Sequence, residues 1–170
     1  MKRGAFFPDS GSPAIFVAML VCYTWTATSV MQSIVRAVSP PPARTGWFVT
    51  PHTFSQWGAD WIQGAILAPV FESMLLIGII EILRVMRCSK PIQVVFAAVP
   101  MALLHVSPWP FRTLLVAPAF VIWAAAYLHW KKVTVHTWKA YAVVAFAHAF
   151  NNLIPASYEL ANLVQHRRSY

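Results

Sequence analysis

The sequence predicts an all-α fold, a polytopic membrane bundle of about five transmembrane helices with short interfacial helices, forming one transmembrane domain over 1–170. Three observations carry this. Hydrophobic residues make up 58% of the chain and charged residues 11%, with a mean hydropathy of +0.57, whereas about a quarter of a soluble domain is charged. Apolar runs long enough to span lipid are separated by breaks rich in Pro, Lys and Arg. Trp and Tyr, among them Trp47, Trp57, Trp61, Trp109, Trp130, Trp138 and Tyr170, fall near the ends of those runs, where amphipathic rings favour the interface.

The formal charge of +8 does not point to nucleic acid, because the basic residues are scattered in small clusters between apolar runs and form no recognition stripe. They read as anchors against anionic lipid headgroups, with a slight excess on the side that carries the amino terminus. Cys22 lies in the first apolar run and Cys88 in a basic loop, so neither a disulfide nor a CxxC zinc site is expected.

A polar tail, 1–12, precedes the first span, 13–38. Met1-Lys2-Arg3 resembles the start of a signal peptide, but the apolar run is long enough to cross a bilayer and is kept as a helix. Successive prolines, 40–42, end it. A loop to Thr53 leads to a short interfacial stretch at Gln56-Trp57, with Thr53 or Ser55 as cap. The second span covers 62–83 and closes on Arg84, Arg87 and Lys90. The third covers 91–106, with small residues Ala97, Ala98 and Ala102 for close packing, and 107–110 terminate it. The fourth covers 111–130, ended by Lys131 and Lys132. The fifth covers 138–155 and is followed by a tail expected to form a short surface helix.

Polar cargo in lipid needs a reason. Glu72 lies near the centre of the second span, His105 closes the third, and His148 and Asn152 sit in the fifth. The last two are four residues apart, so a helix puts both on one face about 6 Å apart along its axis. A single intramembrane His or Asn is often only glue between helices. An acid at mid-bilayer costs several kcal/mol unless paired or neutralised and is usually functional. These four residues are expected to share one cavity, opening on the side away from the 84–90 loop. Glu81 has a simpler partner in Arg84. Ser73, about 100° round the helix from Glu72, is expected to bond a carbonyl. His52, His129, His136 and His166 fall in loops or interfaces and receive no chemistry. A proton or ion carrier would need a polar path through both leaflets, and the polar residues cluster in one half.

The order Glu72 in an Ala-Pro-x-x-Glu context, His105 at the end of a helix, then His148-Ala-Phe-Asn-Asn152 resembles the CAAX protease and bacteriocin-processing family of intramembrane endopeptidases. That family carries Glu-Glu-x-x-x-Arg, Phe-x-x-x-His and His-x-x-x-Asn/Asp on separate helices. The third motif is intact here. The first keeps only its leading Glu, with Ser73 and Ile77 in place of Glu and Arg, and the second has Met101 for Phe. The resemblance covers a core of about 65–155. It implies a multi-pass protein of the bacterial inner membrane that hydrolyses a peptide bond of a membrane-associated peptide or protein. Glu72 would activate water, His105 would assist, and His148 and Asn152 would stabilise the oxyanion, with no cofactor. Zinc held by two His and Glu72 is the competing enzymatic reading, although no His-Glu-x-x-His run is present. A non-proteolytic bacteriocin-immunity or binding protein is the non-enzymatic alternative, supported by the reduced first motif.

Overall fold

The computed structural model describes residues 12–39, 54–106 and 111–168. The polar tail, the proline stop at 40–42, the cap candidate Thr53, the stop at 107–110 and the interfacial positions Trp47, Trp109 and Tyr170 lie outside them, and the other cap candidate, Ser55, falls inside the first turn of a helix that begins at Phe54. Helix α1 runs Pro13–Val38, with Pro13 in its first turn where a missing N–H costs nothing. Helix α2, Phe54–Trp61, continues directly into a π-helical segment, Ile62–Leu67, and then into α3, Ala68–Val85. The expected interfacial helix and second span are therefore one continuous rod, whose 31 residues from Ser55 to Val85 are predominantly apolar. Helix α4, Lys90–Leu103, stops three residues before the expected end, which leaves His105 in the turn that follows. Helix α5 spans Arg112–Thr134 and ends on Val135 in a left-handed conformation (φ 62°). Helix α6 runs unbroken from Thr137 to Arg168, so Pro155 does not end it and the tail is no separate helix.

Among the described residues, α1, the α2–α3 rod and α5 are long and apolar enough to cross a membrane. Among those residues three such helices are found, not five. At 14 residues, α4 reaches only about 21 Å, short of a hydrocarbon core of about 30 Å. Helix α6 has the length but is diluted by His148, Asn151 and Asn152 at its middle.

The bundle is organised around α5, which packs against α1, α3, α4 and α6. Its buried residues include Leu115, Phe120, Trp123, Ala126 and Tyr127. Ala97, Ala98 and Ala102 of α4 are buried, as their size suggested, and let that helix approach closely. Phe16 and Leu20 tie α1 into the same core, Phe16 stacking on His129 and meeting Trp130 edge-on. The outer faces are the reverse of a soluble protein's. Phe71, Met74 and Ile82 on α3, Phe96 on α4 and Phe146 on α6 are all more than half exposed, a pattern that water disfavours and lipid accepts.

At the end of the bundle near the 86–89 loop, Glu81 accepts bonds from Tyr127 (2.5 Å) and Arg84 (2.8 Å), with Lys131 Nζ at 3.6 Å. Lys131 also donates to Thr137. The Arg84 partner was anticipated; the links to α5 and the start of α6 make the group a clamp across three helices. Tyr127→Phe removes the donor to a charged acceptor inside that clamp. It is expected to cost about 1 kcal/mol, read as a lower melting temperature in detergent, without changing the cavity at the other end.

Candidate active site

The chemistry begins with a local irregularity in the rod. Within the π segment the Ala68 N–H reaches back five residues to the Gln63 carbonyl. The next donor in that register would be residue 69, which is proline and has no N–H. The Gly64 carbonyl is thereby left for another donor, and Asn152 Nδ2 supplies it at 2.9 Å from α6. A second latch, Tyr141 Oη to the Val70 carbonyl at 3.1 Å, joins the same two elements one helical stretch away. Trp57 Nε1 adds a third, to the Ala156 carbonyl at 3.2 Å. Single π turns recur at functional sites because they displace the side chains that follow them. Here the side chain delivered is Glu72, one turn beyond Pro69.

The Glu72 carboxyl group lies between two imidazoles. Oε1 is 3.6 Å from His105 Nε2 and Oε2 is 3.5 Å from His148 Nε2. Both distances are within ion-pair reach but long for direct hydrogen bonds, so the carboxylate keeps acceptor capacity for a further group. The second nitrogen of each ring is engaged elsewhere. His105 Nδ1 donates to the Met101 carbonyl at 2.9 Å, which turns Nε2 towards Glu72. His148 Nδ1 lies 3.3 Å from Ser73 Oγ in a buried contact. The His148 ring, 3% exposed, stacks on Trp123 with centroids 3.8 Å apart, and Phe120 sits edge-on to it at 6.1 Å. Phe120 also contacts the His105 ring, at 5.4 Å. Aromatic packing thus fixes both imidazoles around one acid.

Glu72, His105, His148 and Asn152 all line one cavity of ≈ 360 Å³. Its remaining walls come from Trp25, Thr28 and Gln32 of α1, Arg112 and Trp123 of α5, and Asn151 of α6. It occupies the half of the bundle away from the 86–89 loop, because its α5 residues come from the first half of that helix and its α1 residues from the second. Glu72 is within electrostatic reach of Arg112, a cation that α5 brings to the same cavity.

Two expectations change. Ser73 does not bond a carbonyl but meets His148 Nδ1, since α6 lies in the groove beside Glu72 and the 100° offset aims Ser73 at the same ring. Asn152 lines the cavity with one amide hydrogen committed to Gly64, so it braces the π segment, and its second N–H has no partner among the described residues. Sequence reasoning missed the α1 wall and Arg112 altogether. Among the described residues, no group of three His, Cys, Asp or Glu side chains is set to hold a metal ion. Comparison with known proteins found no matching family model, curated protein or solved structure.

Proposed function

We propose that this protein is an intramembrane endopeptidase that uses Glu72 to activate water. The observation that carries the reading is a carboxylate held between two oriented imidazoles inside a cavity of an apolar helix bundle. Water bound at Glu72 gives up a proton to the carboxylate as its oxygen attacks the substrate's peptide carbonyl. His148 and the second N–H of Asn152 donate to the oxygen that becomes negative. The tetrahedral intermediate then collapses: the C–N bond breaks, the proton passes from Glu72, with help from His105 Nε2, to the leaving amine, and the new carboxylic acid gives its own proton to that amine, so that a carboxylate and an ammonium group remain. Five crossings of the cell membrane complete the reading, with α4 as a short outer helix in locally thinned lipid and α6 reaching beyond the bilayer. The substrate is a membrane-associated peptide or protein segment.

The resemblance noted on the sequence supports the same roles for Glu72, His105, His148 and Asn152. Ser73 stands where the family's second Glu would be and supports His148 instead of adding a charge. Base, assistant and oxyanion donors are all side chains, so cleavage is expected to continue at an unchanged rate in a chelator. Loss in chelator with recovery on zinc would transfer water activation to a metal held by Glu72 and the two histidines. The reading itself is tested by reconstituting the protein into vesicles with bacterial inner-membrane proteins and sequencing new amino termini. New termini clustered near the ends of apolar segments are expected. A pattern identical to that of protein-free vesicles would favour the binding or immunity alternative.

A further inference from the structure

Helix α1 carries no residue of the proposed chemistry, yet it presents Trp25, Thr28 and Gln32 to the cavity. The spacing places them on one helical face along a strip of about 10 Å, the length of about three residues of extended chain. Two other hydroxyls of α1 are satisfied within the helix: Thr24 Oγ1 donates to the Leu20 carbonyl at 2.8 Å and Ser33 Oγ to the Ser29 carbonyl at 3.0 Å. Thr28, between them, does not follow suit, and among the described residues its buried Oγ1 has no hydrogen-bond partner. Trp25 Nε1 is in the same condition, as are Trp123 Nε1 and Asn151 Oδ1 on other walls of the cavity. Four buried polar atoms on residues that line one space lack a partner among the described residues, a condition that costs about 1–3 kcal/mol each. The set contains indole donors, an amide acceptor and a hydroxyl that is both.

We infer that this wall binds the backbone of the substrate: a peptide segment of about three residues lies extended along Trp25, Thr28 and Gln32, with its C=O and N–H groups taken by these side chains and by Trp123 and Asn151. The inference deepens the proteolytic reading, which supplies the peptide. A helix must unwind before its peptide carbonyls can be attacked, and unwound backbone is tolerated at membrane depth only where protein meets its polar groups. The α1 strip supplies those partners beside Glu72. Because it engages the main chain, selectivity for side chains would be loose at this wall.

The test uses fluorescent hexapeptide amides built from Ala, Leu, Ser and Val, titrated against the full chain carrying Glu72→Gln in detergent, so that binding is read without turnover. Saturable binding is expected for some members, and methylating one backbone nitrogen of such a peptide should weaken it about tenfold. Thr28→Val, which preserves shape, and Trp25→Phe, which keeps an aromatic ring but deletes the indole N–H, should each weaken the unmethylated peptide to a similar degree, with the melting temperature of Thr28→Val at or above the parent's. The inference is overturned if no member binds, or if neither variant alters binding. Failure of the proteolytic reading looks different: vesicles containing the wild-type protein show no new amino termini while α1-dependent peptide binding persists. Conversely, cleavage with unchanged KM in Thr28→Val would remove α1 from substrate binding and leave Glu72 chemistry intact.

Discussion

Glu72→Gln is expected to lower cleavage by at least about 10²-fold, the usual contribution of a general base, while the variant folds and inserts as well as the parent or better. The substitution is nearly isosteric and keeps a polar group between His105 and His148, but an amide cannot accept the water proton. Stability is retained because removing a partly buried acid from an apolar bundle relieves its desolvation cost, and no short hydrogen bond is lost at separations of 3.5 and 3.6 Å. A structural Glu72 would show the opposite pattern, a lower melting temperature with any activity unaltered. Both readouts are needed on one sample.

His148→Phe is the second large effect, and it should differ in kind. Phenylalanine preserves a ring against Trp123 and Phe120 but deletes both nitrogens. Glu72 loses one flanking group, Ser73 Oγ loses its partner, and the developing oxyanion loses a donor. Cleavage should fall by at least about 10²-fold. The melting temperature should also fall, corresponding to about 1–3 kcal/mol, because polar groups in the apolar interior are left unsatisfied. Ser73→Ala is milder, since it keeps the imidazole beside Glu72 and leaves only His148 Nδ1 without its partner. A His148→Phe variant with parental activity would confine His148 to packing.

Much of the site was legible because lipid makes polar residues conspicuous. Glu72 at the middle of an apolar run and the four-residue spacing of His148 and Asn152 announced a shared face, and the structure brings both helices together at that face. The π segment was not legible, since a single widened turn leaves the apolar pattern of 62–83 almost unchanged; only Pro69, read with Gly64, hinted that a carbonyl would need outside help. Helix α6 outran its expected end because proline removes one donor without forbidding continuation when neighbours support the helix. The contribution of α1 was written in Trp25, Thr28 and Gln32 at helical spacing, but polar residues of that kind are common in spanning helices. Their meaning appears only once the cavity beside them is seen. Arg112 follows a break in the chain, where a basic residue reads as an interfacial anchor, and its place beside the acid depends on how α5 packs against α3.

The central claim is that Glu72 and the histidines act as one site, and a double-mutant cycle tests it most directly. Cleavage rates of Glu72→Gln, His148→Phe and the double variant are measured on one substrate under single-turnover conditions. Residues that act as a unit in one chemical step give losses that do not multiply. The double variant is therefore expected to be no slower than about the slower single variant. Losses that multiply, to about 10⁴-fold from two losses of about 10², would mean that Glu72 and His148 serve separate functions and would contradict the account.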